Sequence, residues 1–185
     1  MEINQEFLSQ IKKRDRKTIL KFYEYSFNLM MQQVNRYTKD KSVQMSIVND
    51  AFMKIINGID KFDVNKSYSA WLSTILRNEF IDHYRKNKKF ELIYSDKATD
   101  LTESAFRADY YIQQFDKEIV LSQFVDALPE ATKIVFNLFV LEDMSREDIS
   151  KQLGISYETV KWHILKARKI ISEQLIELNK DHAIR

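Results

Sequence analysis

The sequence predicts an all-α protein of two small helical domains joined by a flexible linker, with a helix-turn-helix in the second domain. Its 185 residues include only two glycines and one proline, so little interrupts helix formation. Apolar side chains recur at helical spacing through most of the chain. A third observation, the uneven distribution of charge, indicates where one part ends and the next begins.

The charge changes sign along the chain. Residues 1–89 carry 17 Lys and Arg against 10 Asp and Glu, a net charge of +7, and residues 90–128 carry a net charge of −5. Residues 129–185 carry equal numbers of basic and acidic side chains, so their net charge is zero. We therefore expect a first domain over residues 1–89, an acidic linker over 90–117 and a second domain over 118–185. The linker mixes Ser, Thr, Asp and Ala without a helical period, so we expect it to be flexible alone and ordered on a partner.

Composition excludes several function classes. The absence of cysteine excludes disulfides, thiolate zinc sites and cysteine nucleophiles, and fits a reducing cytoplasm. The amino terminus has no signal-peptide pattern, and no apolar run approaches the roughly 20 residues of a membrane span. The three histidines, His83, His163 and His182, lack a plausible ligand or nucleophile set. We expect a cytoplasmic protein without cofactor, metal or catalytic site.

Three helices and one polar loop are predicted in the first domain. The first helix spans about Gln5–Lys39, the second Ser42–Gly58 and the third Ser69–Lys88, with the loop Asp60–Tyr68 before the third. The second helix has Ile47, Phe52, Ile55 and Ile56 at its apolar positions.

Cations collect at two places in this domain. The first helix contains Lys12, Lys13, Arg14, Arg16 and Lys17 near its start. The third helix ends in the basic run 85–89 and carries Trp71, Ile75, Asn78, Asp82 and Arg85 on one face. We expect Trp71 to be partly core. The basic helix end fits either a solvated, dipole-favoured terminus or a strip that holds a nucleic-acid backbone.

The second domain is predicted to begin with a helix around Ile119–Ala127. A helix follows from Pro129, a residue suited to a first helical turn. The core beneath the helix-turn-helix is expected to consist of apolar side chains of this second helix, namely Ile134, Val135, Leu138, Phe139 and Leu141.

The helix-turn-helix is the most informative feature of the chain. Ser145 can cap its first helix, with Asp148 completing a capping box, and Gly154 allows the left-handed turn that ends that helix. Ser156 can cap the second helix. Val160, Ile164, Ala167 and Ile171 would face the core, and Glu158, Lys161, Trp162 and Lys166 would face outward. This arrangement favours binding in the DNA major groove. A solvated or protein-binding helical hairpin remains the alternative.

The order of these motifs resembles the extracytoplasmic-function group of sigma factors, the subunits that give bacterial RNA polymerase its promoter specificity. The sequence from Tyr68 to Lys86 follows that family's pattern aromatic-x-x-Trp-Leu-x-x-Ile-x-x-Asn-x-x-x-Asp-x-x-Arg. The resemblance implies that this helix and its preceding loop recognise the minus-ten element and hold its melted strand. The residues so assigned are Phe62, Asn65, Lys66, Ser67, Tyr68, Arg77, Asn78, Arg85 and Lys86.

The segment 45–56 resembles the core-polymerase-binding helix of the same family, although Met45 and Ser46 stand where an acidic pair is usual. By resemblance the polymerase contacts fall on Val48, Asn49, Asp50, Phe52, Met53 and Ile56.

Leu128-Pro129 and the sequence 154–161 resemble the family's minus-thirty-five domain. That role falls on Ser156, Tyr157, Glu158, Thr159, Lys161, Trp162 and Lys166.

The resemblance implies three partners: core RNA polymerase, promoter DNA as duplex and melted strand, and an anti-sigma factor. Two other classes of protein are alternatives. An ordinary helix-turn-helix regulator would bind duplex DNA unaided, and it leaves the pattern over Tyr68–Lys86 unexplained. A helical adaptor that binds polymerase but no promoter is the second alternative, and an enzyme is the least favoured.

Overall fold

The computed structural model of the chain describes residues 3–86 and 124–183, with side-chain surroundings up to residue 177. Every regular element in this part of the chain is helical, as the sequence predicts. The chain divides into two compact units between Lys86 and Asn87. The predicted linker 90–117 lies outside the described residues, as does most of the helix predicted over Ile119–Ala127.

The first unit contains four α-helices and one 3₁₀ turn. The helices are α1 (Gln5–Lys12), α2 (Arg16–Val34), α3 (Lys41–Asn57) and α4 (Tyr68–Lys86), and the 3₁₀ turn covers Ile59–Lys61. Helix α3 packs against α2 and α4, and α2 also contacts α4. The buried side chains at the centre are large and mostly aromatic or aliphatic, among them Phe22, Met30, Ile47, Leu72, Phe80 and Tyr84.

The prediction of one long first helix is wrong. The chain turns at Lys13–Asp15, where Arg14 has a positive φ of 59° and the Asp15 carboxylate caps α2 by accepting from the Thr18 amide at 2.8 Å. A left-handed backbone cannot continue a right-handed helix. No Gly or Pro marks this break in the sequence.

An ion pair joins α3 to α4. The Lys54 ammonium lies 2.5 Å from Oε2 of Glu79, whose side chain is largely buried, and 3.8 Å from the Asp82 carboxylate. The hydrogen bond to Glu79 is the main reason that the pKa of Lys54 is raised.

The described part of the second unit contains α5 (Glu130–Val140), α6 (Arg146–Leu153) and α7 (Tyr157–Ala183). Both α5 and α6 pack against α7. The predicted inward positions of the second helix are confirmed, since Val160, Ile164, Ala167 and Ile171 are all buried. Ile149 and Leu153 of the first helix are buried as well. Within the described residues, no helix combines the length and apolar composition needed to cross a membrane.

Helix α5 is buried more completely than expected. All eight residues from Ala131 to Leu138 are buried, including Thr132, Lys133 and Asn137. Leu141 is 45% exposed, so its assignment to the core is wrong. The helix ends at Val140 and Leu141 is its C-cap residue, which removes Leu141 from the periodicity that buries the preceding side chains.

Candidate nucleic-acid and partner interfaces

The loop before α4 is organised around three aromatic side chains. Phe62 and Tyr68 are each only 8% exposed, and their rings meet edge to face with centroids 5.8 Å apart. Trp71 is half-buried beside them, 5.2 Å from the Phe62 ring and 6.2 Å from that of Tyr68. The expectation that Trp71 is partly core is therefore confirmed. Phe62 and Tyr68 present little surface on which a base could stack, because most of each ring packs inside the domain.

Tyr68 is further fixed by a hydrogen bond to α2. Its hydroxyl lies 2.6 Å from the buried Ser26 hydroxyl. Burial is also the main reason that the pKa of Tyr68 is raised, which keeps the phenol neutral and able to donate. This contact fixes the start of α4 to the middle of α2, so the loop over residues 62–68 is anchored at its carboxyl end.

An open cavity of about 600 Å³ lies on this side of the domain. Its lining combines aromatic walls with polar groups from the amino terminus and from the loop: Ile3, Asn4, Gln5, Glu6, Tyr25, Phe62, Val64, Lys66 and Tyr68. The contribution of α1 and of Tyr25 was not predicted, because the sequence pattern that points to this region covers only the loop and α4.

Three predicted residues of the loop itself are exposed: Asn65, Lys66 and Ser67. Asn65 donates to the Asp63 carboxylate from its backbone amide and from its side-chain amide, both at 3.0 Å. The Ser67 hydroxyl accepts from the Ala70 amide at 3.3 Å. Asn65 and Ser67 therefore shape the loop, and Lys66 supplies the cation of the cavity lining.

The other predicted residues of α4 lie between its middle and its carboxyl end. Asn78, Arg85 and Lys86 are exposed and Arg77 is half-buried. Arg85 donates to the Asp82 carboxylate at 3.2 Å, an interaction at i and i+3 on an exposed face. This helix end can approach a phosphate backbone, although Arg85 would exchange its contact with Asp82 to do so.

The predicted polymerase-binding residues of α3 separate into two groups. Val48, Phe52 and Ile56 are buried in the core of the domain, so their side chains hold α3 in place. The other three, Asn49, Asp50 and Met53, are exposed. The family pattern over residues 45–56 assigns both groups to one interface. It specifies residue types only, and it does not separate the helix face that packs on the core from the face that a partner can reach.

Neighbouring side chains of α2 extend this exposed surface. The Tyr23 hydroxyl donates to Oδ1 of Asn49 at 3.3 Å, and the Tyr23 ring meets Phe52 edge to face at 4.9 Å. Leu20, one turn earlier on α2, is 57% exposed. Sequence reasoning missed these positions, although the spacing of Leu20, Tyr23 and Phe27 is that of a helix face.

The helix-turn-helix has the predicted caps and turn. The Ser145 hydroxyl accepts from the Asp148 amide at 3.1 Å, Gly154 has the left-handed φ of 68°, and the Ser156 hydroxyl accepts from the Thr159 amide at 3.0 Å. The capping box differs in one respect: the Ser145 hydroxyl donates to the Asp148 carboxylate at 2.8 Å. The two side chains therefore pair with each other at the start of α6.

The outward face of α7 carries the predicted recognition residues. Ser156, Tyr157, Glu158 and Lys161 are exposed, and Trp162 and Lys166 are half-buried. Thr159 is buried, with its hydroxyl 2.8 Å from that of Ser156. Its side chain therefore belongs to the cap and is turned away from any ligand of this face.

Two contacts within α7 pair the recognition side chains with each other. The Lys166 ammonium lies over the Trp162 ring, 4.6 Å from its centroid, and the Lys161 ammonium lies 3.9 Å from the Glu158 carboxylate. The face therefore presents a partly covered aromatic plane flanked by charges of both signs.

Behind this face, His163 is completely buried. Its Nδ1 lies 3.0 Å from the Thr132 hydroxyl of α5. Burial, with a smaller contribution from the Lys166 charge, lowers the pKa of His163 to about 4. The imidazole is neutral at physiological pH and acts as a packing element between α5 and α7. Among the described residues, no group of three His, Asp or Glu side chains is placed to hold a metal ion.

Comparison with known proteins relates both units to one family. Residues 22–90 match the family described as Sigma-70 region 2, and residues 119–171 match Sigma-70, region 4. The chain is 27% identical over 152 residues to the ECF RNA polymerase sigma factor SigM of Bacillus subtilis (strain 168), covering 82% of this chain and 91% of that protein.

Two further relatives from Bacillus subtilis (strain 168) match nearly end to end. RNA polymerase sigma factor YlaC is 24% identical over 172 residues, 92% of this chain and 99% of its own length. ECF RNA polymerase sigma factor SigW is 24% identical over 179 residues, 92% of this chain and 96% of its own length.

Proposed function

We propose how promoter recognition is distributed over the surfaces of this chain, which belongs to the sigma-70 family of RNA polymerase sigma factors, in its extracytoplasmic-function group. As a sigma factor it binds core RNA polymerase and directs transcription initiation at promoters. A sigma factor is a specificity subunit, and polymerase carries out the chemistry of RNA synthesis. Because polymerase works in the bacterial cytoplasm, we expect the chain to act there.

We assign the minus-ten element to the first domain, over residues 1–89. The cavity beside the loop is large enough to receive a single unstacked base, and Lys66 in its lining would lie near the backbone or the base edge. Unstacking a base costs a few kcal/mol, so the pocket that receives it must return comparable contacts. Phe62 and Tyr68 support this pocket from within, and Asn78, Arg77, Arg85 and Lys86 line the path of the melted strand.

The second domain, over residues 118–185, is assigned the minus-thirty-five element as duplex. The observation that carries this assignment is the capped, glycine-turned pair α6–α7, whose second helix presents Tyr157, Glu158, Lys161, Trp162 and Lys166 outward. A helix of this kind enters the major groove with its amino-terminal residues at the base edges. Glu158 could accept from a cytosine amino group, and the two lysines suit phosphates or guanine edges.

Core polymerase is assigned to the exposed strip formed by Asn49, Asp50 and Met53 on α3 with Leu20 and Tyr23 on α2. This strip combines exposed apolar side chains, Leu20 and Met53, with polar ones, and protein interfaces combine the two in the same way. The acidic segment 90–117 is proposed to connect the two DNA-binding domains, and an anti-sigma factor is proposed as the regulator by analogy with the family.

The proposal is tested by transcription from genomic DNA. The purified chain is mixed with bacterial core RNA polymerase and fragmented DNA from its own source, and the transcripts are sequenced. Discrete start sites that share two upstream motifs support the proposal. Polymerase binding without added transcription would indicate an adaptor, and sequence-specific duplex binding without polymerase would indicate an ordinary regulator.

The assignment of the two DNA surfaces is tested separately, with Arg85→Gln and Lys161→Gln. Each substitution should lower promoter affinity and reduce the steepness of its salt dependence, because one phosphate contact fewer means fewer counterions released. An unchanged salt slope in both variants would contradict the assigned surfaces. Arg36 and Lys151 provide exposed cations outside the assigned set for comparison.

A further inference from the structure

A cluster of cations at the turn between α1 and α2 is not used by any surface assigned above. We call it the basic turn and define it as Lys13, Arg14, Arg16 and Lys17, all of which are exposed. No described acidic residue forms an ion pair with any of these four. We give the name base cavity to the cavity lined by Phe62, Lys66 and Tyr68. From the geometry of the basic turn, we infer that it is a phosphate-binding site for the promoter DNA strand that enters this cavity. The inference rests on the proposed role of that cavity.

The one acidic residue within the turn is already engaged. The Asp15 carboxylate caps α2, accepting from the Thr18 amide at 2.8 Å and from the Thr18 hydroxyl at 2.6 Å. These hydrogen bonds are the main reason that the pKa of Asp15 is lowered. The carboxylate is therefore directed into the helix start. The Lys17 charge attracts it only as the smallest contribution to that lowered pKa, so the four cations remain available to an anionic partner.

The turn is tied to the element that leads into the base cavity. The Lys12 ammonium lies 2.8 Å from Oδ1 of Asp60, and α1 packs against the 3₁₀ turn that contains Asp60. That turn runs directly into Phe62 and the loop lining the cavity. Lys12 is therefore already ion-paired and is not counted in the basic turn. Its contact with Asp60 holds the basic turn close to the loop.

The other end of α1 lines the same cavity, through residues 4–6. Helix α1 has eight residues, a length of about 12 Å at 1.5 Å per residue. A stacked DNA strand advances about 3.4 Å per nucleotide. A strand that places one base in the cavity and runs along α1 at this spacing would bring a phosphate to the basic turn about three to four nucleotides away.

The backbone at Arg14 concentrates the charge. A left-handed conformation in a non-glycine residue costs about 1–2 kcal/mol, and here it lets the chain reverse between α1 and α2 with cations on both sides of the turn. Four exposed cations within one turn match a row of phosphates. The exposed apolar side chain of Leu20, one turn beyond Arg16 on α2, belongs to the strip assigned to polymerase.

The test uses polymerase carrying this chain and a fluorescent promoter fragment, taken from a start site mapped by transcription, with its minus-ten strand unpaired. The variants are Arg14→Gly, which removes the charge and relieves the backbone, and a triple variant with Lys13, Arg16 and Lys17 changed to Gln. Each lost phosphate contact on a single strand should lower the slope of log affinity against log salt by about 0.7. We expect a decrease of about 0.7 for Arg14→Gly and about 2 for the triple variant.

A variant of opposite sign sharpens the test. Asp15→Asn keeps an N-cap side chain that accepts from Thr18 and removes the one negative charge of the turn, so it should strengthen binding. Lys41→Gln serves as the matched control, because Lys41 is an exposed cation at the start of α3 and should leave the slope unchanged.

Neutral methylphosphonates, placed one at a time along the strand, then locate the contact. When the methylphosphonate replaces the phosphate that the basic turn binds, the unaltered chain and the Arg14→Gly variant should have the same affinity for the strand. A loss that is the same at every position, or an unchanged salt slope in both variants, would overturn the inference. So would weaker binding to core polymerase alone with normal DNA binding, since that would make the turn a protein contact. Absence of any start site with the unaltered chain would instead refute the proposed function.

Discussion

The buried histidine of the second domain should make that domain lose stability in mild acid. His163 is completely buried between α5 and α7, with Nδ1 3.0 Å from the Thr132 hydroxyl. Its pKa is lowered to about 4 in the folded chain, against about 6.5 for an unperturbed histidine. Between these values the unfolded chain binds the proton and the folded chain does not, so the free energy of unfolding falls as the pH falls.

The expected magnitude follows from these two pKa values. Above about pH 7.5 the histidine is neutral in both states and contributes no pH dependence. The stability difference grows through the window from about pH 6.5 to about pH 4, by up to roughly 1.4 kcal/mol per pH unit. Between pH 8 and pH 5 the loss due to His163 is about 2 kcal/mol, a substantial fraction of the stability of a small domain.

The two tryptophans allow the two domains to be followed separately, since Trp71 lies in the first and Trp162 in the second. Urea unfolding of the Trp71→Phe chain, monitored by Trp162 fluorescence, reports the second domain at pH 8, 6.5 and 5. The matched variant adds His163→Gln, which cannot titrate and can still hydrogen-bond to Thr132. Carboxylates titrate alike in both proteins, so the difference between their pH profiles isolates the imidazole.

We expect the chain with His163 to lose about 2 kcal/mol more than the glutamine variant between pH 8 and pH 5. The lower stability of the variant at pH 8 does not affect the comparison, because only the change with pH is used. Equal losses in the two proteins would mean that His163 is hydrated or protonated in the folded domain. That result would refute the burial on which the reasoning depends.

Three other predictions concern the supports of the proposed DNA-binding surfaces. Gly154→Ala should destabilise the second domain by about 1–2 kcal/mol, because the φ of 68° at this position strains any residue with a Cβ. Urea unfolding followed by Trp162 fluorescence measures this loss of stability, and Gly154→Asn should lose less stability than Gly154→Ala. Lys54→Met should cost the first domain about 1–2 kcal/mol by leaving the Glu79 carboxylate unpaired, and adding Glu79→Met should restore most of that loss in the same assay with Trp71. Tyr68→Phe should cost about 1–2 kcal/mol by leaving the Ser26 hydroxyl buried without its partner, and a double variant with Ser26→Ala should recover part of it.

Helical periodicity predicted the parts of the fold that depend on local sequence. The positions of α3 and α4, the caps at Ser145 and Ser156 and the turn at Gly154 each have a signal within a few residues. The break at Arg14 has no such signal, because a non-glycine residue takes the left-handed conformation there and an aspartate follows as the cap.

The candidate sites were less predictable, because burial depends on residues distant in sequence. Tyr68 meets Ser26 across 42 positions, a contact that makes it a support of the loop instead of an exposed platform. Val48 and Phe52 fit a family pattern for polymerase binding, and whether they face inward depends on how α3 packs between α2 and α4. A pattern of residue types identifies the helix, and packing decides which of its faces a partner can reach.

Several side chains of the proposed DNA surfaces are already paired within the chain. Lys166 lies over Trp162 and Lys161 beside Glu158 on α7, and Arg85 contacts Asp82 on α4. On the proposed assignment, binding DNA would exchange these contacts for new ones, so the net free energy gained at each surface would be smaller than its charge suggests. Exposed pairs of this kind are worth under about 1 kcal/mol each, so they exchange easily. Breaking them would still lower the DNA affinity of either domain acting alone. Two modest sites joined in one chain become strong only when a partner holds both at the correct spacing, since the second then binds at a high effective concentration. On the proposed assignment core polymerase would provide that condition, and specificity should then depend on the assembled holoenzyme.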